Sequence, residues 1–110
     1  MALAAKTLTD PVTLTTGFVA RCTGPSSKTW IVKQIILTNY SASAATVDIR
    51  LVPASATAGN EHLIFKALSL AAYETTLLNM SLVLETSDAI FALASAGTAV
   101  NLTIFGVEVS

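Results

Sequence analysis

The sequence predicts an all-β chain folded as a single-domain antiparallel β-sandwich of about eight strands. Three observations point there. The chain has 110 residues, the size of one domain with one buried core. Alternating polar and apolar residues, or β-branched and aromatic ones, recur in runs of strand length, while helical periodicity is weak. Short clusters of glycine, proline, serine and other small residues punctuate those runs.

Taken in order, residues 1–11 read as an N-terminal arm or edge strand and residues 12–110 as the sandwich domain. Val12 to Arg21 is expected to form the next strand, closed by the turn Gly24-Pro25-Ser26-Ser27. Thr29 to Tyr40 (TWIVKQIILTNY) has no glycine or proline and reads as a long strand. Its alternation changes phase at Lys33-Gln34, the mark of a bulge. Thr46 to Leu51 alternates without a slip, placing Val47, Ile49 and Leu51 on one face and Asp48 and Arg50 on the other. The small residues Ser41 to Ala45 between these strands suit an antiparallel hairpin.

After the turn at Ala58-Gly59-Asn60, strands are expected at His62 to Leu68, Glu74 to Leu78 and Met80 to Leu84. A helical turn is the alternative for Lys66 to Thr76, and again for Met1 to Leu8. Asp88 to Ala94 and Ala99 to Val109 then form a second predicted hairpin through Ser95-Ala96-Gly97-Thr98, with Gly106 marking a bulge or a close backbone approach. The two connections echo one another, which suggests corresponding places in the sandwich.

Hydrophobic residues make up 53% and charged ones 12%, with a net charge of -1. Ordinary soluble domains carry roughly 25% charged residues, so this surface is built from Ser, Thr, Ala and Asn and repels its neighbours weakly. Self-association follows naturally. The lysines and arginines are dispersed, which argues against a nucleic-acid partner. No run approaches the length of a membrane span, and the first residues lack a secretory apolar segment, so synthesis in a cytoplasm is expected.

Catalytic chemistry finds little to work with. The acids are scattered toward strand ends and turns. Glu61 and His62 are adjacent, and neighbours in a strand face opposite ways. A ring of His62 around a symmetry axis is the one metal arrangement the composition offers. Cys22 has no nearby base in sequence and reads as a small buried side chain. The glycines are isolated, so no phosphate loop is present. No catalytic residue, metal ligand or cofactor is therefore expected. Trp30, Tyr40 and Tyr73 are the aromatic anchors, suited to core and interface packing or to stacking on a sugar.

From Lys28 onward the order of features resembles small β-sandwich virion proteins of tailed bacteriophages. The matching stretches are Lys28 to Asn39, Ser43 to Pro53, Leu82 to Ile90 and Ile104 to Val109. Glu85-Thr86-Ser87-Asp88 departs from the pattern by lacking a glycine before the aspartate. The resemblance implies a jelly-roll-like sandwich with a structural role, either as a head decoration (cement) protein or as a tail, baseplate or fibre component. Together with the weakly charged surface, this leads to a first reading as a homo-oligomer, a trimer, docked on the major capsid protein. The N-terminal arm would then supply the assembly contacts, with Leu3, Leu8 and Val12 as apolar anchors and Lys6 and Asp10 as rim charges, and its removal would leave the domain folded.

Overall fold

A computed structural model of the chain describes residues 2–110, so the first residue of the expected arm, Met1, lies outside the described residues. Eight strands follow one another: β1 (Leu3–Thr13), β2 (Val19–Thr23), β3 (Thr29–Asn39), β4 (Ala45–Val52), β5 (Leu63–Leu70), β6 (Thr75–Leu84), β7 (Ala89–Ala94) and β8 (Val100–Val109). One 3₁₀ turn, Asn60–His62, interrupts them.

The strands form two four-stranded sheets, ordered β1-β8-β3-β6 and β2-β7-β4-β5. The pairs β1–β8, β2–β7, β3–β6 and β4–β5 are all antiparallel. The chain is thus a doubled ribbon that turns back between β4 and β5, and the pairings β3–β8 and β4–β7 roll it up. That winding is a jelly roll. Alternation supplies its core, because each strand turns every second residue inward. Val32, Ile35, Leu37, Leu102 and Ile104 from the first sheet meet Val47, Ile49, Leu70, Ile90 and Ala92 from the second.

The two expected hairpins are corners instead. β3 and β4 lie in different sheets, as do β7 and β8, so each short connection steps across the sandwich, a gap of roughly 10 Å. Their echo nevertheless marks equivalent places, since the corners touch: Tyr40 N–H donates to Ala99 O at 2.9 Å and Ser95 N–H to Thr46 O at 2.8 Å. Val12 to Arg21 is not one strand, because the chain turns at Leu14 to Phe18 before β2 begins. The two strands expected around Asn79 are one continuous β6, and Lys66 to Thr76 is strand and turn rather than helix.

The bulge at Lys33 is present. Val32 pairs with Gly106 and Gln34 with Phe105, leaving Lys33 as the extra residue against β8. Gly106 sits where the strands crowd, and a Cβ there would collide with the Ile31 carbonyl oxygen and the Leu8 side chain.

Candidate assembly surface

The outward face of the first sheet carries Leu3, Leu77, Val83 and Phe105, all large hydrophobic residues left exposed. Register sets it out in rows. Ala5, Val107, Ile31 and Val83 lie side by side across β1, β8, β3 and β6. Leu3 and Val109 extend the patch toward one end, and Phe105 toward the middle. Leu3 is 67% exposed, while Leu77 and Val83 on β6 are 54% exposed each. Farther along, polar rows take over: Thr13 Oγ1 bonds Asn101 Oδ1 at 2.8 Å, Gln34 Nε2 donates to Asn79 Oδ1 at 3.0 Å, and the Thr38 and Thr75 hydroxyls pair at 3.2 Å. Lys33 brings a charge to this face and spends it on the Ser81 hydroxyl at 2.7 Å.

At the end where β1 begins and β8 finishes, Glu108 gathers three donors. Its Oε2 accepts from Trp30 Nε1 at 2.9 Å and from Lys6 Nζ at 3.0 Å, and its Oε1 accepts from Lys28 Nζ at 3.2 Å. Lys6 also stands 5.4 Å from the centroid of the Trp30 ring. The Trp30 hydrogen bond and then the two lysines hold the Glu108 carboxyl down at about 2. Nothing in the sequence singled out Glu108, because a carboxylate one residue short of a strand end reads as solvated.

The expected assembly contacts do not share one surface. Leu3 is outside, Leu8 is buried in the core, Val12 packs against that core, and Asp10 is exposed. Lys6 is committed to Glu108. Residues 3–13 are the edge strand of the first sheet, paired with β8 at Leu3, Ala5, Thr7 and Val12, so removing them would strip β8 of a partner rather than release a free arm.

The aromatic anchors separate as well. Trp30 is half-buried at one end of β3, and Tyr40 follows the other end, roughly 33 Å away along the strand. Tyr73, 70% exposed, lies on the neighbouring β5–β6 turn, where its N–H donates to Ser41 O at 3.3 Å. Cys22 is 4% exposed, and burial pushes its thiol up. His62 Nδ1 accepts the Gly59 N–H at 3.1 Å. Among the described residues no three His, Cys, Asp or Glu side chains converge on a metal-sized space, and no helix is long and apolar enough to cross a membrane.

No protein-family model and no curated protein sequence matches this chain. Solved structures do. A protein from the study of Bacillus endospore appendages, described as a novel family of disulfide-linked pili, superposes with a TM-score of 0.57 at 9% identity, over 98% of this chain and 88% of that one. A chain from the structure of the infectious bursal disease virus Gx strain superposes with a TM-score of 0.54 at 11% identity, over 97% of this chain. The present chain spans 31% of that viral protein. At these identities the likeness shows a shared sandwich fold.

Proposed function

We propose that this chain is a non-enzymatic structural subunit of a virion, assembling with copies of itself and docking on a particle. In its most specific form it is a tailed-phage head decoration protein, a homotrimer seated on the major capsid protein. The observation that carries the reading is the apolar outward face of the first sheet around Leu3, Val107 and Phe105, a surface that suits a covering neighbour. The shared fold with an appendage pilin and a viral protein supports it. The pili of that study are disulfide-linked, whereas Cys22 of this chain is buried, so assembly here is read as non-covalent.

Co-sedimentation with undecorated phage heads tests the reading. Wild-type protein is expected to bind saturably and Leu3→Lys/Phe105→Lys at least tenfold more weakly, with both giving the same strand-rich circular dichroism. Wild-type protein that stays in the supernatant would overturn the head assignment. Labelled protein seen by electron microscopy on tails instead of heads would favour the tail, baseplate or fibre alternative. One observation favours a second reading, a glycan-binding module: Tyr40 and Tyr73 are exposed on adjoining turns. Saturable binding on a glycan array, lost in Tyr73→Ala, would establish it.

A further inference from the structure

The four sheet edges of the sandwich are not equally protected. An edge strand presents unpaired N–H and C=O groups, and proteins blunt it with prolines, charges, bulges or brevity. β1 carries Lys6, Asp10 and Pro11 and has two register shifts against β8. Its edge is further covered from β2, where Thr9 Oγ1 donates to Arg21 O at 2.7 Å. β2 has only five residues. β5 carries Lys66 and is distorted at Ala67, whose φ of 52° is a left-handed conformation held by the Asp48 carboxylate. β6 has no charge, no proline and no glycine on its ten residues, TTLLNMSLVL, and its one irregularity is the register shift that sets Met80 and Ser81 against Lys33 of β3. Among the described residues, no backbone hydrogen bond outside the ladder to β3 engages it.

We infer that the β6 edge pairs with the β6 edge of a second copy of this chain, continuing the first sheet across a two-fold axis. This deepens the structural-subunit reading and rests on it; in a trimeric assembly the two-fold joins two trimers into a hexamer. The strand is self-complementary in one register. Its exposure alternates without a break from Thr75 to Val83, with Leu77, Asn79, Ser81 and Val83 outward. An antiparallel pair about an axis at Met80 sets Leu77 of one copy against Val83 of the other, and Asn79 against Ser81. Apolar then meets apolar and polar meets polar at every outward position, twice over by symmetry. An axis at Asn79 would set Leu77 against Ser81 and leave Val83 facing Thr75. Because the contact is isologous and the opposite edge, β1, is guarded, the pair closes instead of growing into a fibre.

Charge reversal tests partner and register together. Asn79→Lys/Ser81→Lys places like charges opposite each other across the axis, whereas Asn79→Lys/Ser81→Glu places opposite charges there. Sedimentation velocity on wild-type protein is expected to give an even multiple of the chain mass. That mass should halve in the first variant, with at least tenfold weaker association, and return in the second. Circular dichroism serves as the fold control. Hydrogen exchange on the wild type provides a measurement free of substitutions, since β6 amides should be protected like those of a central strand while β1 amides exchange faster. A monomer, an odd multiple, an unchanged mass in Asn79→Lys/Ser81→Lys, or β6 amides exchanging as an edge would each overturn the pairing. If the assembly persists in that variant, another contact builds it and the structural-subunit reading still stands, to be judged by the particle-binding experiment.

Discussion

Glu108 is worth following as a single side chain, because three strands report to it. Lys6 on β1, Trp30 on β3 and Glu108 on β8 are joined through one carboxylate. Its folded value of about 2 lies below the ordinary value of 4.5. A depressed carboxylate contributes stability above its unfolded value and loses it as pH falls toward its folded value. The contribution is therefore complete above pH 4.5 and fades between there and about 2. Trp30 is the one tryptophan, so its emission should titrate with a midpoint near 2, and Glu108→Gln should abolish that transition. A midpoint in the ordinary carboxylate range would show that the cluster does not hold in solution. Asn39 is the other residue that sequence reading missed. Fully buried, it donates to Ser43 O at 2.9 Å and Ala71 O at 3.1 Å and accepts from the Ser41 N–H at 3.0 Å, tying two loops to the core. An asparagine near the end of a predicted strand carries no local mark of burial, which is decided by loops that arrive from elsewhere in the chain.

At the scale of elements, the strands were legible and their partners were not. Val47 and Ile49 face inward as their alternation requires, and the phase change at Lys33 is a real bulge. A short linker of small residues between two alternating strands, however, is the same local signal whether it makes a hairpin or a corner, since the choice depends on which strands compete for each edge. The missing glycine before Asp88 proves informative in the same way. Ser87 takes a φ of 69°, the left-handed region where a Cβ costs roughly 1 kcal/mol or more. The turn adopts this conformation without the residue that suits it, held by Ser87 N–H to Gly24 O at 3.0 Å and Asp88 N–H to Glu85 O at 3.0 Å. Ser87→Gly should therefore raise stability by about 1 kcal/mol, offset in part by the freer unfolded chain. A shift of the urea midpoint to higher concentration at constant m checks it, and a lower midpoint would contradict the strain.

For the whole molecule, the residues expected as apolar assembly anchors are divided, Leu3 on the outside and Leu8 and Val12 in or against the core. Composition announced a weakly charged surface but could not place apolar residues on it, because a row such as Ala5, Val107, Ile31 and Val83 exists only once four distant segments align. The doubled ribbon has a consequence in time as well as in space. β1 leaves the ribosome before the other strands, yet β8, the partner it needs, is made after all of them. Nearly every pairing in this fold joins distant segments, which places its folding on the millisecond-to-second scale. Until β8 docks, β1 waits unpaired, and its proline, charges and bulges guard it through that interval as well as afterwards. The Trp30 indole meets Glu108 only when that last strand arrives, so its fluorescence in stopped-flow refolding should follow a slow phase rather than the early collapse; recovery of the native signal in microseconds would mean that β8 docks early.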